Sequence, residues 1–163
     1  FAPWKTIIAI LSAAALLNMN PGIVSAQDHS HSHGTGKPEQ LTLDNGKKWA
    51  TDDNLRQSMG RIRDALSAEL PAIHSGKATA EQYRALAQKT NDQIAFMVKN
   101  CKLEPKADAM LHLVLADIIA GADAMMAQDG SKARKGAEKI AGALDDYGAY
   151  FDHHGWHGMK HAH

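Results

Sequence analysis

The stretch NCKLEPKADAMLH, residues 100 to 112, holds the only cysteine of the chain, Cys101, and a histidine eleven positions later, His112. A thiolate and an imidazole are ligands for soft and borderline transition metals. Met59 adds a thioether, and His153 or His154 adds a second imidazole. One thiolate, two imidazoles and a long axial thioether form the blue-copper ligand combination. The sulfur donors stabilise Cu(I), the imidazoles suit both copper states, and a bound ion would keep the thiol deprotonated. Composition agrees, with 10 His and 7 Met against only 3 each of Phe, Trp and Tyr.

Each of these residues also has an ordinary reading. Met59 fits a gap-filling core methionine. Cys101 fits a small buried apolar residue, and His112 a core-edge histidine bonded to Asp108 one turn earlier. What separates the two readings is whether the fold brings the residues together.

Four amphipathic helical patterns must do that positioning. In the first, Thr51 or Asp52 can cap, and Leu55, Met59, Ile62, Leu66 and Leu70 recur with a helical period before Pro71 ends the run. The second opens at TAEQ, Thr79 to Gln82, a capping-box pattern. Its apolar face carries Tyr83, Leu86, Thr90, Ile94 and Met97 and ends at Cys101. The third starts near Pro105 and reaches about Gln128, with Leu111, Leu115, Ile118, Ala122 and Met125 inward. A neighbouring stripe through Ala109, His112, Leu115, Ile119, Ala122 and Met126 puts His112 at the core edge. The fourth begins near Ser131 and shows Ala137, Ile140, Leu144, Tyr147, Phe151 and His154 on one face, with Gly155 and Gly158 as the stop.

No segment alternates with period two for long enough to be a strand. Short connections between four such helices predict an all-α, antiparallel up-down-up-down four-helix bundle over residues 51 to 154. In that topology the start of helix 1, the end of helix 2, the start of helix 3 and the end of helix 4 share one end. Met59, Cys101, His112 and His153 or His154 all belong there. His112 lies about 10 Å along the axis from Pro105, so bringing it level with Cys101 requires a loop that folds back or a later helix start.

Outside the bundle, Lys5 followed by the apolar run Ile7 to Leu17 and the small residues Val24-Ser25-Ala26 reads as a cleavable signal peptide over residues 1–26. That run is too short and too poorly flanked to span a membrane. The reading predicts export, to a bacterial periplasm, and an oxidising surrounding in which one unpaired cysteine is notable. Residues 27–50 and 155–163 are expected to be disordered polar tails, although Leu41, Leu43 and Trp49 can pack back. His29, His31 and His33 in the first tail, and His157, Met159, His161 and His163 in the second, are weak Cu(II), Ni(II) or Zn(II) donors.

The stretches KWATDDNLRQSM, NCKLEPKADAMLH and YFDHHGW resemble those of small exported helical proteins of proteobacteria. The likeness spans roughly residues 41 to 157 and implies a bundle, with no particular chemistry. The chain also resembles the soluble periplasmic b-type cytochromes at the level of fold, four-helix bundles whose haem takes Met from the first helix and His from the last. Met59 and His153 or His154 match those two roles by position, whereas Cys101 has no part in that pattern.

The 18 basic and 18 acidic side chains cancel, which leaves no basic footprint for nucleic acid and no polybasic membrane patch. C-x-x-C-H, H-E-x-x-H, paired C-x-x-C, a phosphate-binding glycine loop and G-x-S-x-G are all missing from the sequence. The expected function is therefore a periplasmic copper protein, carrying the ion or single electrons and meeting a periplasmic redox or copper-handling partner, with no bond chemistry of its own. A b-type haem electron carrier is the alternative with a cofactor; a structural or chaperone-like bundle is the alternative without one.

Overall fold

The structure is a computed structural model that describes residues 39–159. The signal-peptide residues 1–26, the tract with His29, His31 and His33, and the terminal His161 and His163 lie outside the described residues. Among the described residues there are four helices: α1 Asp53–His74, α2 Ala80–Asn100, α3 Pro105–Met125 and α4 Gly130–Tyr150. Among the described residues there is no strand beyond two isolated bridges, Asp44 with Lys47 and Trp49 with Phe151. No helix among them is long and apolar enough to cross a membrane.

Local chemistry sets the helix ends. The Asp52 carboxylate caps α1 by accepting from the Leu55 N–H, and Thr79 and Gln82 complete the capping box of α2. Pro105 occupies the first turn of α3, where its missing N–H is harmless, and Asp129 caps α4 through the Ser131 and Lys132 N–H groups. Three boundaries differ from the sequence expectation: α3 ends at Met125 and not near Gln128, α4 ends at Tyr150 before His154, and α1 runs past its proline. Pro71 does not end α1, which continues to His74. A proline forfeits one backbone hydrogen bond, and burial of Ile73, only 1% exposed, holds the last turn against that loss.

Consecutive helices pack against one another, and α4 closes onto α1, so the four form an antiparallel bundle. Leu55, Met59, Ile62 and Leu66 of α1 meet Tyr83, Leu86, Ile94 and Met97 of α2, Leu111, Leu115, Ile118 and Met125 of α3, and Ile140, Leu144 and Tyr147 of α4 in one core. Side chains of this size contribute about 1.5–3 kcal/mol each when fully buried. The α3–α4 pair makes the closest approach. A Cβ placed on Gly121 would stand 2.6 Å from the Gly136 carbonyl oxygen, so only glycine lets these backbones touch.

Among the described residues the flanking segments are folded: Leu41 and Trp49 pack back on the core as the sequence allows, Leu43 stays exposed, and residues 155–159 are packed where a loose tail was expected. On the N-terminal side, Asn45 (φ 50°) and Gly46 (φ 83°) form the tight turn of a small hairpin, and Trp49 bridges Phe151. On the C-terminal side, α4 stops at Tyr150 and Phe151–Met159 runs back over the bundle. Phe151 is 0% and Met159 5% exposed. Between them the Trp156 ring lies on Gly148, where an added Cβ would meet the indole at 2.5 Å. Apolar residues spaced irregularly carry no helical period, and so this segment reads as a tail until its contacts are seen.

Candidate metal centre

The shared end of the bundle assembles as the topology requires. The Asn54 side chain donates to the Asn100 carbonyl at 3.1 Å, joining the start of α1 to the end of α2. Trp49 N donates to Tyr150 O and Asp152 N to Trp49 O, both at 2.8 Å, joining the entry of α1 to the exit of α4. The candidate donors take up very different positions around that end.

Cys101 is the C-cap of α2, half-buried, with its N–H bonded to the Met97 carbonyl. Its neighbour is Asp52, whose second carboxylate oxygen accepts from the Lys102 N–H at 2.6 Å. Asp52 therefore caps α1 and clamps the α2–α3 loop together. Burial first, then the negative charge and hydrogen bond of Asp52, push the Cys101 thiol up to about 12. The thiol is thus held protonated until something replaces the proton. Asp52 is legible in the sequence as a helix cap; its second role appears only once the start of α1 meets the end of α2.

His112 lies on the outer face of α3, with its side chain 67% exposed. Its Nδ1 sits 2.8 Å from the Asp108 carbonyl oxygen and 3.4 Å from the Asp108 carboxylate. The bond to Asp108 one turn back matches the ordinary reading of this histidine. It also leaves Nε2 directed elsewhere. The buried stripe of α3 is the one through Leu111, Leu115 and Ile118, while Ile119 and Met126 of the neighbouring stripe are exposed. Cys101 and His112 nevertheless line one groove, of about 350 Å³, together with Met97, Leu103 and Asp108. Cys101 is in an extended conformation where the chain leaves α2, and α3 opens at Pro105 four residues later.

The other three candidates stand elsewhere. Met59 is 0% exposed inside the core, a packing position. His154 is exposed; the helical period that would turn it inward ends four residues earlier, at Tyr150. His153 is half-buried beside α4, with its Nδ1 3.0 Å from the Tyr147 hydroxyl. Its ring packs against Trp156 at 4.9 Å between centroids. Burial, reinforced by the Arg56 and Arg63 charges, holds its pKa below the usual imidazole value. Tyr147 is fully enclosed and its hydroxyl pKa is raised by burial, so it stays protonated. Sequence reasoning placed Tyr147 in the core and missed it as the partner of His153.

Among the described residues no three His, Cys, Asp or Glu side chains are grouped to hold one ion, so Cys101, His112 and His153 do not converge. The pair that shares a lining is Cys101 with His112, and Met97, 2% exposed, belongs to the same lining. A thiolate, an imidazole and a thioether suit Cu(I) better than a hard cation. Met59 and His154, the residues that match the haem-ligand positions, lie in different surroundings, one enclosed in the core and the other exposed. Comparison of the chain with protein-family models, curated proteins and solved structures gives no match.

Proposed function

We propose that the protein is an exported copper carrier that holds the ion in the α2/α3 groove through Cys101 and His112. The observation that carries this reading is the placement of the chain's only thiol and an imidazole in one open lining. An imidazole bonded through one nitrogen to a carbonyl or carboxylate presents its other nitrogen in a fixed orientation, as metal-binding histidines do. Met97 supplies a soft donor in the same lining, which favours Cu(I). Two strong protein donors and an open face leave coordination positions to a partner's ligands. That suits handing an ion on better than relaying electrons through a closed site, and it involves no bond chemistry.

Loading must displace the thiol proton, so apparent affinity rises with pH while the thiol of the metal-free protein remains protonated. The export reading rests on residues 1–26 and is tested by the N-terminal sequence of the protein recovered from a periplasmic extract.

The functional test is anaerobic Cu(I) titration against a chromogenic chelator, with wild type, Cys101→Ser and His112→Ala side by side. One tightly held ion lost in Cys101→Ser and weakened in His112→Ala supports the groove. Equal Cu(I) retention by all three proteins refutes it and leaves a helical bundle with some other role.

A further inference from the structure

One contact of the returning segment turns on a titratable ring. His153 Nδ1 lies 3.0 Å from the Tyr147 hydroxyl and is the only hydrogen-bond partner of that hydroxyl among the described residues. Tyr147 is 0% exposed and keeps its proton, so the hydroxyl donates and Nδ1 accepts, which requires a neutral imidazole. His153 itself is half-buried and within reach of water. A change at this ring is passed along the segment. Trp156 N donates to the His153 carbonyl at 2.9 Å, and the two rings pack 4.9 Å apart. The indole in turn sits on Gly148 and edge-on to Tyr147 at 4.8 Å, with its Nε1 buried and lacking a partner among the described residues. A donor in that state gains a hydrogen bond to water when the indole leaves its seat.

The surroundings favour the neutral ring. From α1, Arg56 and Arg63 bring two positive charges to His153. From α4 comes the uncharged Tyr147 hydroxyl. Asp152 precedes the ring in the chain, and Asp52 and Cys101 face Tyr147 from the entry of α1 and the end of α2. Neither carboxylate is paired with His153, which takes part in no ion pair among the described residues.

We propose that His153–Met159 is a strap released by acid: a proton on His153 Nδ1 breaks the bond to Tyr147 and lets the segment lift off α4 and α1. An imidazolium donates from both nitrogens and accepts at neither. The contact then survives only if the Tyr147 hydroxyl turns round, which strands its own hydrogen in an enclosed position. Arg56 and Arg63 repel the new charge. The remaining holds are the Trp156 seat, the Arg63 guanidinium 5.0 Å over the indole, and the Met159 N–H on the Asp145 carboxylate at 3.3 Å. Closure is complete above about pH 6.5, the ordinary imidazole value, and declines as pH falls toward the lower value of the closed strap. None of this depends on the Cys101 groove.

The test is backbone hydrogen exchange of the full chain, followed by NMR between pH 7.5 and 5 and corrected for the intrinsic pH dependence of exchange. The amides of Trp156 and Met159 report the strap, and those of Ile118 and Leu144 report the core. In wild type the opening constant at the strap should rise on the order of tenfold by pH 5, and by no more than about thirtyfold, the limit for one proton on an ordinary imidazole. His153→Gln can still accept from Tyr147 but does not titrate, and it should keep the opening constant level across that range. The position is half-buried at the surface, so the fold is expected to survive, and a thermal melt at pH 7.5 checks it. An unchanged opening constant in wild type overturns the proposal. A rise that persists in His153→Gln overturns it as well and assigns the response to another group, such as the Asp145 carboxylate. A parallel rise at Ile118 and Leu144 means that the whole domain opens and that there is no separate strap.

Discussion

Replacing Asp52 by Asn removes one negative charge and one acceptor from a carboxylate with three duties: the cap on Leu55 N, the clamp on Lys102 N and the bond to the Cys101 thiol. Asn keeps one carbonyl oxygen, enough for the cap, and turns an amide N–H₂ toward the Lys102 donor. The lost interaction is a hydrogen bond to a charged group, about 1.5–3 kcal/mol at full strength. Half-exposure of Asp52 reduces this to about 1–2 kcal/mol, a fall in Tm of about 4–8 °C for a domain of this size. The thiol should move the other way in reactivity. With a value of about 12, roughly one thiol in 10,000 is ionised at pH 8. Each unit removed by losing the Asp52 charge multiplies the thiolate about tenfold. The assay is the rate of iodoacetamide alkylation against pH, run well below the melting transition. Asp53→Asn serves as a control, because the Asp53 side chain is 95% exposed. Asp52→Ser is a second variant that retains the cap but not the clamp. Faster alkylation in both Asp52 variants and not in the control is expected. An unchanged rate would show that burial alone governs the thiol and that the Asp52 contact is immaterial.

Three further outcomes are expected. Met59→Ala should destabilise by about 2–5 kcal/mol and Met59→Leu by less than about 1.5 kcal/mol, both with copper retained; copper lost in Met59→Leu would return Met59 to the ligand set. Gly121→Ala forces a Cβ into the Gly136 carbonyl, and an overpacking cost of about 1–3 kcal/mol exceeds a propensity gain of up to about 1 kcal/mol. Gly142→Ala, with nothing within 4 Å of the new Cβ, should instead stabilise by about 0.5–1 kcal/mol, and urea midpoints separate the two. The depressed pKa of His153 means the unfolded chain binds its proton first as pH falls. The contribution of His153 is therefore complete above about pH 6.5 and is lost as pH drops below that value through the lower folded one. Thermal melts from pH 7.5 to 5 should fall less steeply in His153→Asn than in wild type, and parallel slopes would count against the assignment.

The helices were legible because each repeats one buried residue per turn: Leu55, Met59 and Ile62 in α1, and Ile140, Leu144 and Tyr147 in α4, are all in the core as the period requires. Cap chemistry made the starts of α1 and α2 readable to within a residue or two. Periodicity failed where chain direction changes. It carried the α4 face through Phe151, correctly buried, and on to His154, which lies past the helix end. It offered two stripes on α3 and could not say that His112 belongs to the outer one. The meeting of Cys101 with His112 in one lining depends on the backbone path through Lys102, Leu103 and Glu104, which no repeat encodes. The contacts of Trp156 and Met159 are long-range and aperiodic, and a one-dimensional pattern holds no trace of them.

The clasp between Trp49 and Tyr150–Asp152 has a consequence for the shape of the chain itself. Thr51 Oγ1 donates to the Asp152 carbonyl at 2.6 Å across 101 positions of sequence, so the covalent path from one side to the other is a nearly complete circuit. Closing a free circuit of that length would cost about 4 kcal/mol of chain entropy. Here the four helices have already met that requirement, and the clasp joins ends that are side by side. The polypeptide behaves as a ring whose seam happens to fall beside the candidate copper groove. Sealing the seam covalently and opening the ring at the Met126–Asp129 connection would give a permuted protein with the same core.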